Sequence, residues 1–115
     1  EHRGGYDLVI ATEVIEHLFR PRALLDRAKE ALRPGGNIII TAPYHGYCKN
    51  LALALTGKFD EHWHPLRDYG HIKFFSCRTL GLLLEEQGFC ATRWARVGRV
   101  PLFARSMMVM ASLQK

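Results

Sequence analysis

The sequence predicts an α/β fold built on a mostly parallel sheet that finishes in an antiparallel hairpin. Three features predict it. Tyr6-Asp7-Leu8-Val9-Ile10-Ala11-Thr12 is a continuous aliphatic strand pattern, an amphipathic helix pattern follows, and Asn37 to Ala42 forms a second short aliphatic run. Strand, helix, strand at this spacing is a βαβ unit, which sets a right-handed crossover and two parallel strands.

The first run is apolar at successive positions rather than at alternate ones, so it suits a strand covered on both faces and paired at both edges. The helix is expected from about Pro21 to Leu32, with Leu24, Leu25, Ala28 and Leu32 on one face and Arg22, Arg27, Lys29 and Glu30 on the other. Pro21 suits the first helical turn, and Pro34-Gly35-Gly36 cannot continue a helix. Pro43 stops the second strand.

From Tyr44 to His71 the pattern is irregular, with one short apolar stretch, Leu51 to Leu55, expected as a helix closed by Gly57. Segments this long in compact domains usually serve as lids or binding elements. A further helix is expected from Cys77 to Gln87, with Ser76 as N-cap, Leu80, Leu83 and Leu84 facing the core, and Gly88 at its end. Cys90 to Val97 and Met107 to Leu113 complete the chain as strands, and their direct connection implies an antiparallel pair.

The 115 residues are 48% hydrophobic and 23% charged, which fits one globular domain with one core. The longest apolar stretches, Leu8 to Ala11 and Leu51 to Leu55, fall far short of the ~20 residues a membrane span requires, and no signal-like N-terminus is present. A cytoplasmic protein is expected. Cys48, Cys77 and Cys90 are odd in number and unpaired in spacing, against a disulfide framework or a thiolate zinc site. The net charge of +5 would favour an acidic partner, but the bases are scattered, so a solvated surface explains them.

In order and spacing, several segments resemble class I S-adenosylmethionine (SAM)-dependent methyltransferases. These are Tyr6-Asp7-Leu8-Val9-Ile10-Ala11-Thr12-Glu13-Val14-Ile15-Glu16-His17-Leu18, Leu32-Arg33-Pro34-Gly35-Gly36, Ile38-Ile39-Ile40-Thr41-Ala42-Pro43, and Phe75-Ser76 with Leu82 to Phe89. The resemblance implies a Rossmann-like fold of which this chain is the C-terminal half, strands four to seven of a seven-stranded sheet. It also implies that the last strand inserts antiparallel beside the fifth.

No glycine-rich turn follows a strand in these residues, whereas the family holds the cofactor's amino-acid part on such a turn. The chain therefore reads as part of a longer enzyme, retaining one wall of the SAM site at Ala11, Thr12 and Glu13, with the 44–71 segment as cap over the acceptor. A non-catalytic remnant or interaction domain is the alternative. The acceptor expected is a small or lipid-like molecule, methylated at oxygen. If the first strand's edge is left bare, a homodimer through that edge is expected.

Methyl transfer needs alignment and, at an oxygen acceptor, removal of a proton. His17 and His71 are the candidate bases, with Tyr44, His45 and His64 as acceptor-contacting candidates and His62, Tyr47 and Tyr69 as further polar groups of the cap. Glu13, Glu16 and His17 would share one face of a helical turn, a donor set suited to magnesium or manganese. Acids favoured by the dipole of a first helical turn explain the same residues without a metal.

Glu13-Val14-Ile15-Glu16-His17 resembles the metal-binding segment of small-RNA 3′-terminal 2′-O-methyltransferases, and also a segment of ubiquinone-pathway O-methyltransferases. In the RNA enzymes a later histidine completes the metal site, and His71 sits at a comparable place. Phe75 and Ser76 depart from the RNA enzymes' pattern of an acid and an aromatic, so nucleic acid is not the expected substrate. His62-Trp63-His64 lacks a third ligand and makes a poor zinc signature.

Overall fold

Residues 4–44, 46–62, 64–98 and 104–114 are described by the computed structural model, the side chains of Tyr47, Phe59 and His62 excepted. Strand β1 (Tyr6–Thr12) is followed by a single 3-10 turn at Ile15–His17 and then by helix α1 (Pro21–Ala31). Strand β2 (Leu32–Pro43) lies parallel to β1, with Ala11 opposite Ile40 and Val9 opposite Ile38. This is the βαβ unit that the spacing implies.

Leu32, expected as the last helical residue, instead opens β2 opposite Tyr6, and the register slips before Leu8 pairs with Asn37. The intervening Pro-Gly-Gly absorbs the slip. Gly35 takes a φ of +79°. At Gly36 a Cβ would lie 2.9 Å from Leu32 Cδ2 and 3.2 Å from the Tyr6 carbonyl, so only glycine lets the two strands approach.

The cap begins with α2 (Tyr47–Thr56), longer than the apolar stretch alone suggested and closed by Gly57 at φ +69°, and continues with the short α3 (Phe59–His62). Helix α4 (Cys77–Glu86) starts at a reciprocal capping box, in which the Ser76 hydroxyl accepts from the Thr79 amide and Thr79 Oγ1 accepts from the Ser76 amide. Strands β3 (Phe89–Val97) and β4 (Ser106–Leu113) follow.

The sheet order is β1-β2-β4-β3, with β4 antiparallel to both its neighbours. The last strand thus lies antiparallel beside β2, the fifth strand of the family's sheet, as the resemblance implies, and β3 flanks its other side. Leu25 and Ala28 of α1 and Leu80, Leu83 and Leu84 of α4 cover one face of the sheet, where Ile38, Ile40, Ala42, Met107, Val109 and Ala111 point inward. Each fully buried aliphatic side chain contributes about 1.5–3 kcal/mol. The two helices are also tied to each other: Arg22 Nη2 donates to Glu86 Oε1 at 3.0 Å and Lys29 Nζ to Gln87 Oε1 at 2.9 Å.

The expectation that β1 is covered on both faces and both edges fails for these residues. β1 stands at the sheet edge with Tyr6 53%, Leu8 43% and Ile10 61% exposed. Only Val9 and Ala11 turn toward the helix-covered face. The aliphatic run reports what the strand is suited to meet, and none of the described residues covers its outer face. All three cysteines are free, and among the described residues no helix is long and apolar enough to cross a membrane.

Candidate functional site

The site forms where β1 ends. The Glu13 amide prolongs the β1–β2 ladder by donating to the Thr41 carbonyl at 3.0 Å and to Thr41 Oγ1 at 3.1 Å. The backbone then turns sharply, with Glu13 at φ +53°, in the left-handed region that a non-glycine residue seldom takes. Its exposed carboxylate accepts a hydrogen bond from the Ser106 hydroxyl at 3.0 Å, joining the β1 end to the start of β4.

That kink corrects the expectation of one helical face. Glu13 lies outside the turn, so Glu13, Glu16 and His17 do not share a helical stripe. Glu16 and His17 stand on the 3-10 turn, and the chain returns to them at Gly70-His71-Ile72-Lys73. The Ile72 and Lys73 amides both donate to the Glu16 carbonyl at 2.9 Å. His17 Nδ1 lies 3.1 Å from the Gly70 carbonyl, and the His17 and His71 rings meet edge-on at 5.0 Å between centroids. Donor atoms of Glu16, His17 and His71 all fall within 4.8 Å of one another.

The electrostatics of this cluster are unsatisfied. Glu16 is 1% exposed, and among the described residues no donor stands within ordinary hydrogen-bond geometry of either carboxylate oxygen, although the Glu13 carboxyl lies close enough to compete for its proton. Its carboxyl is pushed up to about 7, first by burial and then by the neighbouring Glu13, with His17 opposing. Burial likewise lowers the His71 pKa, helped by the adjacent His17, which favours the neutral ring.

The Gly70 carbonyl can only accept, so the contact puts a proton on His17 Nδ1 and leaves Nε2 as the atom that meets the Glu16 carboxyl. That Nε2 faces Glu16 Oε1 at 3.5 Å. A lone pair set against a carboxylate oxygen is repulsive unless a proton or a cation lies between them. A carboxylate and two imidazoles converging from a buried base to an exposed rim therefore fit a divalent metal ion. Two ring nitrogens beside one carboxylate suit manganese better than magnesium, which prefers oxygen donors throughout.

Ala11, at the end of β1, is buried, while Thr12 and Glu13 are exposed beyond it. They present one edge on which a cofactor can lie, beyond the carboxyl ends of the parallel strands. Tyr44 is buried rather than open to an acceptor. Its ring lies under the Arg96 guanidinium at 4.7 Å and fills the space where a Gly46 side chain would stand. His64 is exposed in the turn at 64–67, apart from the cluster, and His45 lies outside the described residues.

Two contributors escaped the sequence. Lys49 is buried, its ammonium donating to the carbonyls of Tyr44 and Ala104 at 3.1 Å each, and it pins α2 to the ends of β2 and β4. No sequence signal marks it, because a lysine in a helical pattern ordinarily reads as solvent-facing. Ser106 reaches Glu13 only because β4 lies beside β2, a neighbour relation that periodicity does not reveal.

Sheet order, strand directions and a site beyond the β1 end define a Rossmann-like α/β fold of the class I SAM-dependent methyltransferase type. The chain belongs to the methyltransferase domain family, which it matches over residues 1–92. It is 33% identical over 84 residues to the ubiquinone biosynthesis O-methyltransferase of Dinoroseobacter shibae, a match covering 72% of this chain and 34% of that protein. The corresponding protein of a Bradyrhizobium species is 33% identical over 104 residues, covering 90% and 41%.

The structure of Burkholderia thailandensis 1,6-didemethyltoxoflavin N1-methyltransferase, with 1,6-didemethyltoxoflavin and S-adenosylhomocysteine bound, overlays at a TM-score of 0.72. It is 16% identical, and the overlay covers 100% of this chain and 47% of that one, a likeness of fold. The chain thus spans less than half the length of each of these proteins.

Proposed function

We propose that this chain is part of an enzyme that transfers a methyl group from SAM to an oxygen of a small or lipid-like acceptor, and that Glu16, His17 and His71 hold a divalent cation at its site. The observation that carries the reading is the unpartnered Glu16 carboxylate, buried beyond the end of β1 with the His17 and His71 nitrogens turned to it. The family supports methyl transfer, and the names of the ubiquinone biosynthesis relatives support oxygen as acceptor.

SAM, when bound, supplies a methyl group already activated on a sulfonium. A cation at the cluster would add Lewis acidity toward an acceptor hydroxyl. The rest falls to the chain's own groups. Ala11, Thr12 and Glu13 border the donor, and the Ser106 bond holds Glu13 in its kinked position. His71, kept toward its neutral form, is the group suited to take the hydroxyl proton when no cation engages its lone pair; with a cation bound it serves as a ligand instead. Strong alignment of donor and acceptor matters more than any covalent participation.

The test uses the natural protein at full length with isotopically labelled SAM and an extract of phenolic and lipid-soluble metabolites. A product carrying one added methyl on a hydroxyl oxygen, together with stabilisation by S-adenosylhomocysteine, is the expected outcome. Neither stabilisation nor labelled product would return the chain to the non-catalytic alternative.

A further inference from the structure

We propose that a divalent cation bound by Glu16, His17 and His71 acts as a clasp, closing the 64–73 stretch of the cap onto the turn after β1. This rests on the metal reading above and adds what the ion does to the chain. The three donors come from two segments far apart in sequence: Glu16 and His17 belong to the 3-10 turn, His71 to the end of the cap.

Among its described residues the 57–73 stretch has little else to hold it there. Every described residue from Gly57 to Tyr69 is exposed, Leu66 at 85% and Tyr69 at 97%. Among the described residues the closing contacts lie at Gly70-Lys73: two amides on the Glu16 carbonyl, one carbonyl on His17 Nδ1, and the His17–His71 ring edge. Tyr69, at φ +59°, is a strained non-glycine position immediately before this strap. A segment with few buried apolar contacts and exposed backbone belongs to the low-stability end of a fold.

Without an ion, only a proton can reconcile His17 Nε2 with the Glu16 oxygen 3.5 Å away. With the cap open, His71 leaves and only Glu16 and His17 remain as donors. The ion therefore binds the closed form more tightly, and a ligand shifts an equilibrium by its differential affinity for the two states. Linkage makes the effect reciprocal: whatever favours closure also tightens the ion.

The experiment is carried out on the full-length natural protein with manganese as probe. Calorimetric titration reports binding, and amide hydrogen exchange over residues 64–73 reports closure, compared in manganese and in chelator. Manganese is expected to slow exchange across 64–73 while leaving α1 unchanged. His71→Ala is expected to bind roughly tenfold or more weakly, given that even outer-shell partners are worth that much, and to lose the protection. His71→Asn serves the same purpose if the alanine variant does not fold, with α1 exchange as the check on folding.

Tight binding with no change in exchange would overturn the clasp and leave the metal site standing. Absence of binding would overturn both. Equal protection in wild type and the His71 variants would also overturn the clasp, because closure would then not pass through that ligand.

Discussion

Glu16→Gln, in metal-free solution, is expected to remove a pH-dependent weakness of the fold. The Glu16 carboxyl rises from an ordinary 4.5 to about 7 on folding, chiefly because it is buried. Between those values the unfolded chain has already released the proton that the folded chain keeps. Stability therefore falls as pH rises from about 4.5 to about 7 and is flat above, where both states are ionised. At ~1.4 kcal/mol per pH unit the full loss is about 3 kcal/mol.

Gln keeps the shape and does not titrate, so the difference between the wild-type and variant profiles reports the Glu16 carboxyl together with its coupling to its neighbours. Urea unfolding followed by tryptophan fluorescence, in chelator, at steps from pH 4.5 to 8, measures it. The variant should gain on wild type progressively, by up to about 3 kcal/mol at pH 8. Parallel profiles would mean that Glu16 is not buried in the manner described, and the repulsive cluster argument would fall with it.

Other expectations are narrower. Leu84→Ala empties a fully buried position under the sheet and should cost about 2–5 kcal/mol in chemical denaturation. Gly36→Ala places a methyl 2.9 Å from Leu32 Cδ2 and 3.0 Å from the Arg33 carbonyl, and should cost about 1–3 kcal/mol in the same assay. Ser106→Ala removes the hydroxyl that holds Glu13, with a loss of about 0.5–1.5 kcal/mol and little change in circular dichroism. In the isolated 115-residue chain, Ile10→Lys should suppress self-association through the bare β1 edge; sedimentation as a monomer before the substitution removes the reason for the effect.

Much of the fold could be read along the chain because its signals are local. Pro21 at the helix start, the Ser76 capping box and the Gly88 stop mark boundaries through backbone chemistry within a few residues. The aliphatic run of β2 likewise names itself. Leu32 misled at the α1–β2 junction because its buried side chain satisfies a helical stripe and a strand equally well.

The sequence also determined which residues would be worth watching: Glu16, His17 and His71 all emerged from residue type, spacing and resemblance. Only the tertiary structure decided that Glu13 leaves the helical stripe through a left-handed kink while staying beside Glu16, that Tyr44 is buried, and that Lys49 and Ser106 tie α2 and the β1 end to the stretch around the start of β4. The reason is physical. Periodicity encodes which side of an element faces the core. Whether two lone pairs meet across a turn depends on where a loop returns in space, and that is set by packing and sheet order.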